Sequence, residues 1–200
     1  MIFQKGKEQR VNTNNKTIFG DVEFDEEFPV EFGIWDLKQL LSVISLFTDP
    51  EIDFEKEKLV IKEGKRKVNY FYSDIGLIKF FKNKVTLPNV DIQFNLSKDT
   101  LTQLHKVAKV FNGEYIAVVG DKEKIYLQTI NPKNDQQSSG SFEVGETDKE
   151  FRMVISMDRL IWVDGEYVVK ISKEGIAKAT CQDTVLSYIF TCDSKSEFKG

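Results

Sequence analysis

One histidine, two cysteines and no excess of basic charge are what this 200-residue chain offers to chemistry. A single histidine rules out histidine-rich metal sites and leaves His105 as the sole imidazole for acid–base work. His105 falls mid-helix beside an apolar stripe, with no nucleophile motif in the sequence, and reads as a boundary residue rather than a base. Cys181 and Cys192 lie on neighbouring strands without metal-type spacing and read as buried thiols rather than a disulfide. Gly64-Lys65 lacks the spacing and the following Ser/Thr of a phosphate-binding loop. Aspartates and glutamates are scattered over strand edges and turns, without a ligand cluster. No apolar run is long enough to span a bilayer, and no signal-peptide pattern opens the chain. The net charge of −4 does not advertise a nucleic-acid binder, so the placement of the 28 basic residues matters more than their number. Enzymatic chemistry is therefore not expected, and neither a metal nor a cofactor is implied.

What is present is a repeated order of elements. Glu150–Ser156 reads as a strand and residues 157–163 as a short helix; residues 166–172, 175–181 and 184–192 then read as three strands. The same order runs over residues 91–144, with its helix at Lys98–Phe111, and over residues 28–73, with its helix at 35–47. Before Phe28 only the three-strand tail of a fourth copy is found. A chain built of such units points to a ring, and a ring points to encirclement rather than catalysis. The half-polar strands belong to antiparallel sheets with one covered face. The helices supply the cover: Leu37, Leu40, Leu41 and Ile44 in one, and Leu101, Leu104, Val107, Ala108 and Phe111 in the other. Asp36 sits in the first turn of the former; Ser97 suits the N-cap of the latter and Asn112-Gly113 its stop. Residues 131–141 read as a hairpin loop and residues 74–89 as a connector between two domains, 1–89 and 90–200.

The basic residues on the helices are the specific signal. Lys106 and Lys109 are three apart and project the same way; Lys38 begins the polar face of its helix, and Arg159 sits on the short third one. If helices from equivalent units line one surface, these four form a sparse positive lining in an acidic protein. The alternative is a solvated helix face.

The stretch Ile34-Trp35-Asp36-Leu37 through Ser45-Leu46, the segment Asp99 to Phe111 with its paired lysines, and Met157 to Trp162 followed by Gly165-Glu166-Tyr167 resemble the sliding clamps of T-even-type bacteriophages. The resemblance is diffuse but covers almost the whole chain. It implies an α+β sliding-clamp fold of repeated βαβββ units, with antiparallel sheets outside and helices inside. It further implies a DNA polymerase processivity factor of viral DNA replication: a head-to-tail homotrimer around duplex DNA in the cytoplasm of the infected host. Implied partners are the polymerase, an ATP-driven clamp loader and transcription factors, and no membrane. Partner peptides are expected in an apolar groove by the connector, with Val85, Leu87 and Pro88 as candidates and Ile18 placed there only by family geometry. Against the family pattern, roughly twenty residues, a strand and a helix, are expected before Met1, going by the length of the equivalent segment ending at Gly113. The competing reading is a non-enzymatic phage binding or structural module that reuses the repeat without encircling DNA.

Overall fold

A computed structural model describes residues 1–13, 15, 17–80, 84–131 and 140–200. The chain forms two compact units: unit 1 comprises Met1–Asn14 and Asp21–Asn83, and unit 2 comprises Asn15–Gly20 and Lys84–Gly200.

Unit 1 carries β1 (Ile2–Phe3), β2 (Gly6–Asn12), most of β3 (Ile18–Phe28) and β4 (Phe32–Gly33). After these come α1 (Leu37–Ile44) and the meander β5 (Glu51–Phe54), β6 (Lys58–Glu63) and β7 (Arg66–Phe71). β1 pairs antiparallel with β4, and β5-β6-β7 form a three-stranded sheet. Gly64 closes the β6–β7 hairpin with a φ of +58°, which a side chain would resist. The core is small and aromatic: Phe32, Ile34, Leu40, Leu59 and Ile61 are buried, and Phe3, Phe28, Phe54 and Tyr72 pack around them. Phe32 stacks on both Phe3 and Tyr72 with ring centroids 4.9 Å apart.

α1 is shorter than its apolar pattern suggests. The Asp36 side chain caps it by accepting from the Gln39 N–H at 3.0 Å, so the helix starts at Leu37. Leu40 and Ile44 reach the core as expected, but Leu37 and Leu41 do not; Leu41 is 56% exposed. One face of an eight-residue helix meets one small sheet, so a stripe wider than that sheet's reach is left in water.

Unit 2 carries β8 (Ile92–Leu96), α2 (Lys98–Phe111), β9 (Tyr115–Asp121), β10 (Lys124–Ile130) and β11 (Ser141–Glu146). The order then repeats: β12 (Glu150–Ser156), a 3-10 turn at Met157–Leu160, β13 (Tyr167–Ile171), β14 (Ile176–Cys181) and β15 (Leu186–Thr191). The short β16 (Glu197–Phe198) closes the chain onto β12. Each repeat gives its leading strand to the other's meander. β12 pairs with β9 from Glu150↔Asp121 to Ser156↔Tyr115, and β8 pairs with β13 from Leu96↔Tyr167 to Ile92↔Ile171. Residues from both resulting sheets and from α2, among them Phe94, Leu104, Val118, Met153, Tyr167 and Phe190, form one core. Most of the expected 131–141 loop lies outside the described residues.

The short third helix expected at 157–163 is only the four-residue 3-10 turn. Trp162 ends it by donating its indole N–H to the Arg159 carbonyl at 2.8 Å and packing among Tyr167, Tyr188 and Phe190. A further helical turn would carry that ring out of its aromatic nest.

In unit 1 one carboxylate ties the exit of α1 to the β6–β7 hairpin. Glu63 accepts from the backbone N–H of Asp49 at 2.7 Å and of Thr48 at 2.9 Å, and from Arg66. The Asp49 N–H first, then Thr48 and Arg66, hold its carboxyl below the ordinary carboxylate range. A lowered folded-state value means the contribution is complete above the ordinary carboxylate range and is lost as pH falls through the folded value. The protection of the Thr48 and Asp49 amides, relative to their intrinsic exchange rates at each pH, should therefore fall on acidification below about pH 4.5. In Glu63→Gln the same amides should exchange with no such acid limb.

Candidate nucleic-acid interface

α2 is where the sequence placed its clearest basic pair. Ser97 caps the helix by accepting from the Thr100 N–H at 3.1 Å, and Asn112 ends it in the left-handed region at φ 51°. Leu101, Leu104 and Ala108 are buried, which fixes the rotation of the helix and turns Lys106 and Lys109 outward. Both lysines are exposed, and neither is in an ion pair among the described residues. Several lysines elsewhere differ: Lys62 pairs with Glu51 and Asp53, Lys124 with Glu143 and Glu146, and Lys199 with Glu150. Paired charges are already neutralised locally, whereas Lys106 and Lys109 present uncompensated charge next to the dipole-negative end of α2. Val110, 71% exposed and one turn on from Lys106, adds an apolar contact to this face that the sequence pattern did not single out.

Arg159 is placed differently. His105 Nε2 lies 3.0 Å from the Leu160 carbonyl, so α2 runs beside the 3-10 turn that carries Arg159. The guanidinium, however, donates to both the carbonyl and the hydroxyl of Thr191 on β15, and the residue is half-buried. It works as a strap between the turn and the sheet, with less charge free to meet a phosphate. Lys38 is exposed on α1 of unit 1, again outside any ion pair among the described residues.

The four apolar candidates for a partner groove all belong to unit 2. Val85 and Leu87 are half-buried and Pro88 is exposed, on backbone with no regular structure. Ile18 packs at the margin of the unit 2 core, as do Leu186 and Tyr188. His105 is committed to a backbone carbonyl. Burial pushes the Cys192 thiol up to about 12, so it stays protonated and unreactive at neutral pH, and Cys181 is buried and free.

No family model matches the chain. It is similar to the sliding clamp of Vibrio phage KVP40, at 27% identity over 188 residues covering 89% of this chain and 84% of that protein. It is similar to the sliding clamp of Escherichia phage RB69, at 23% identity over an alignment of 207, covering 98% of this chain and 90% of that protein. Among solved structures, a Helicobacter pylori beta clamp bound to a DNA ligase peptide superposes with a TM-score of 0.70 at 12% identity, over 97% of this chain. The PCNA of A. fulgidus bound to the C-terminal region of FEN-1 superposes with a TM-score of 0.66 at 14% identity, covering 98% of this chain and 89% of that one. This chain spans 56% of the H. pylori clamp chain. The fold is thus the sliding-clamp fold, and the likeness to clamps of T-even-type phages extends over most of the chain.

The contrast between Arg159 and the helix lysines is measurable. Arg159→Met should lower the stability of unit 2 by about 1–2 kcal/mol through the lost bonds to Thr191. The double variant Lys106→Glu/Lys109→Glu should change it by less than about 0.5 kcal/mol in the same denaturant titration.

Proposed function

We propose that this chain is the subunit of a ring that encircles duplex DNA and tethers a DNA polymerase to it, with no reaction of its own. The observation that carries this reading is the likeness to two phage sliding clamps over nearly the whole chain, in a fold shared with beta clamps and PCNA. The charge distribution supports it. A closed ring holds DNA by topology and needs little affinity; strong phosphate contacts would release counterions but retard sliding. Lys38, Lys106, Lys109 and, more weakly, Arg159 serve as sparse, sequence-blind phosphate contacts in a chain of net charge −4.

Assembly as a head-to-tail homotrimer has physical means. β7 is an edge strand of unit 1 with Phe71 65% exposed, and β11 is an edge strand of unit 2. The described part of that second edge is Ser141–Glu146; residues 138 and 139 before it lie outside the described residues. Joining β7 of one subunit to β11 of the next is a heterologous contact that closes into a ring. Loading onto DNA then requires a separate ATP-driven opener, in the cytoplasm of the infected cell. Polymerase and transcription factors would dock apolar peptide anchors on Val85, Leu87, Pro88 and Ile18. The H. pylori clamp with its ligase peptide and the A. fulgidus PCNA with its FEN-1 segment lend that arrangement support.

The decisive experiment compares retention on circular and linear duplex DNA after loading. Encirclement predicts stable retention on the circle and rapid loss from the linear form; equal retention on both would favour the non-encircling module. Lys106→Glu/Lys109→Glu should reduce clamp-dependent synthesis severalfold, most strongly at low salt where screening is weak.

Phe71→Pro should convert a trimer to monomers in light scattering at micromolar concentration while leaving the β5–β6 pairing intact. A trimer of unchanged mass in that variant would reject β7 as the contact strand.

A further inference from the structure

Two strand edges of equal length carry complementary patterns. β7 (Arg66–Phe71) and β11 (Ser141–Glu146) each hold six residues and are outer strands of their sheets among the described residues. Tyr70 packs against the unit 1 core and shares its face of β7 with Val68. Lys67, Asn69 and Phe71 occupy the opposite, exposed face. On β11, Phe142 and Val144 pack against the unit 2 core, which leaves Ser141 and Glu143 on the exposed face. A bulge at Val144 returns Glu146 to the side of Glu143, where Lys124 bonds both carboxylates.

The backbone and the charges agree. The Tyr72 N–H donates to the Glu57 carbonyl at 2.9 Å, so Val68 and Tyr70 turn their peptide groups to β6, while Asn69 and Phe71 turn theirs to the free edge. The Thr129 N–H donates to the Gly140 carbonyl at 3.0 Å, so Gly140 and Phe142 face β10, while Ser141 and Glu143 face the free edge. Lys67 is exposed and in no ion pair among the described residues, and its cross-strand neighbour Lys62 takes up Glu51 and Asp53. At Lys124 one cation meets two carboxylates, so one negative charge is left uncompensated beside β11.

We infer that β7 of one copy joins β11 of the next antiparallel and in full overlap, and that Lys67 completes an ion cluster with Glu143, Glu146 and Lys124 across the junction. Phe71 then stands opposite Ser141, Tyr70 opposite Phe142 and Val68 opposite Val144. This junction rests on the ring assembly proposed above, to which it adds orientation, register and charge. A slip of one residue would turn the apolar residues of the two strands to opposite faces. A slip of two would leave Tyr70 opposite Gly140, and a parallel overlap would set Phe71 beside Glu146. Joining β7 to β7, or β11 to β11, brings like charges together, so the residues that select the neighbour's edge also reject the identical one.

The test is sedimentation equilibrium of the full chain at about 0.1 M salt. Lys67→Glu sets like charges against each other at every junction and should raise the dissociation constant of the trimer at least about fivefold; Glu146→Lys should do the same from the other side. Lys67→Glu/Glu146→Lys in one chain restores opposite charge and should return the constant to within about twofold of the parent. Both positions are exposed, and rescue by the combined variant excludes misfolding as the cause. At about 1 M salt the single variants should converge on the parent, because screening removes the difference. The outward amides of Asn69, Phe71, Ser141 and Glu143 should be protected from hydrogen exchange in the parent trimer and lose that protection in the monomeric single variants. Single variants that assemble like the parent, or weakened ones that the combined variant does not rescue, would overturn the ion cluster and leave the ring assembly standing. A parent chain that stays monomeric at about 100 μM would overturn the assembly and this junction with it.

Discussion

The reciprocal donation of a leading strand between repeats is the constraint on which the rest of unit 2 depends. β12 completes the sheet of the first repeat and β8 completes that of the second. Neither meander alone can bury its inward face, because three short strands leave an unpaired edge and a half-covered core. The exchange gives both sheets a fourth strand and clamps the two repeats into one core shared with α2. β16 then covers the outer edge of β12, with Phe198 stacked on Phe151.

Among the described residues, unit 1 follows the same logic with fewer parts. Its two-stranded β1–β4 pairing and three-stranded meander do not form a shared four-stranded sheet. Aromatic contact takes over part of the burden: Phe3, Phe28, Phe32, Phe54 and Tyr72 make a continuous set of ring contacts. The corner between β1 and β2 is held by side chains where a longer ladder would otherwise be needed. Gln9, 1% exposed, donates to the Gln4 carbonyl at 2.7 Å and accepts from the Gln4 N–H at 2.8 Å. A buried amide is tolerated there because its hydrogen-bonding groups find backbone partners.

Electrostatics divide along the same structural lines. Some strand lysines sit across from carboxylates that cancel them locally, as Lys62 does with Glu51 and Asp53. Side-chain hydrogen bonding to Asp53 and Glu51 raises the Lys62 value. The outward face of α2 keeps Lys106 and Lys109 uncompensated. A weakly acidic protein can thus carry a local positive face without net attraction to polyanions, which suits loose, sequence-blind contact better than tight binding.

The sequence by itself determined the order of elements, the caps of α2 and the outward pair Lys106 and Lys109. Each follows from short-range rules: period 2 for strands, period 3.6 for helices, and turn chemistry at Gly64 and Asn112. Only the tertiary structure decided which apolar residues are covered. Leu37, Leu40, Leu41 and Ile44 are equivalent in a helical pattern, but cover depends on what lies opposite, and only Leu40 and Ile44 find it. Arg159 was likewise indistinguishable from a free helix cation until β15 was folded beside it, because Thr191 is 32 residues away along the chain. The 3-10 turn owes its shortness to Trp162 finding Tyr188 and Phe190, partners no local window contains. Periodicity sets which face a residue belongs to, while long-range packing sets whether that face meets protein or water.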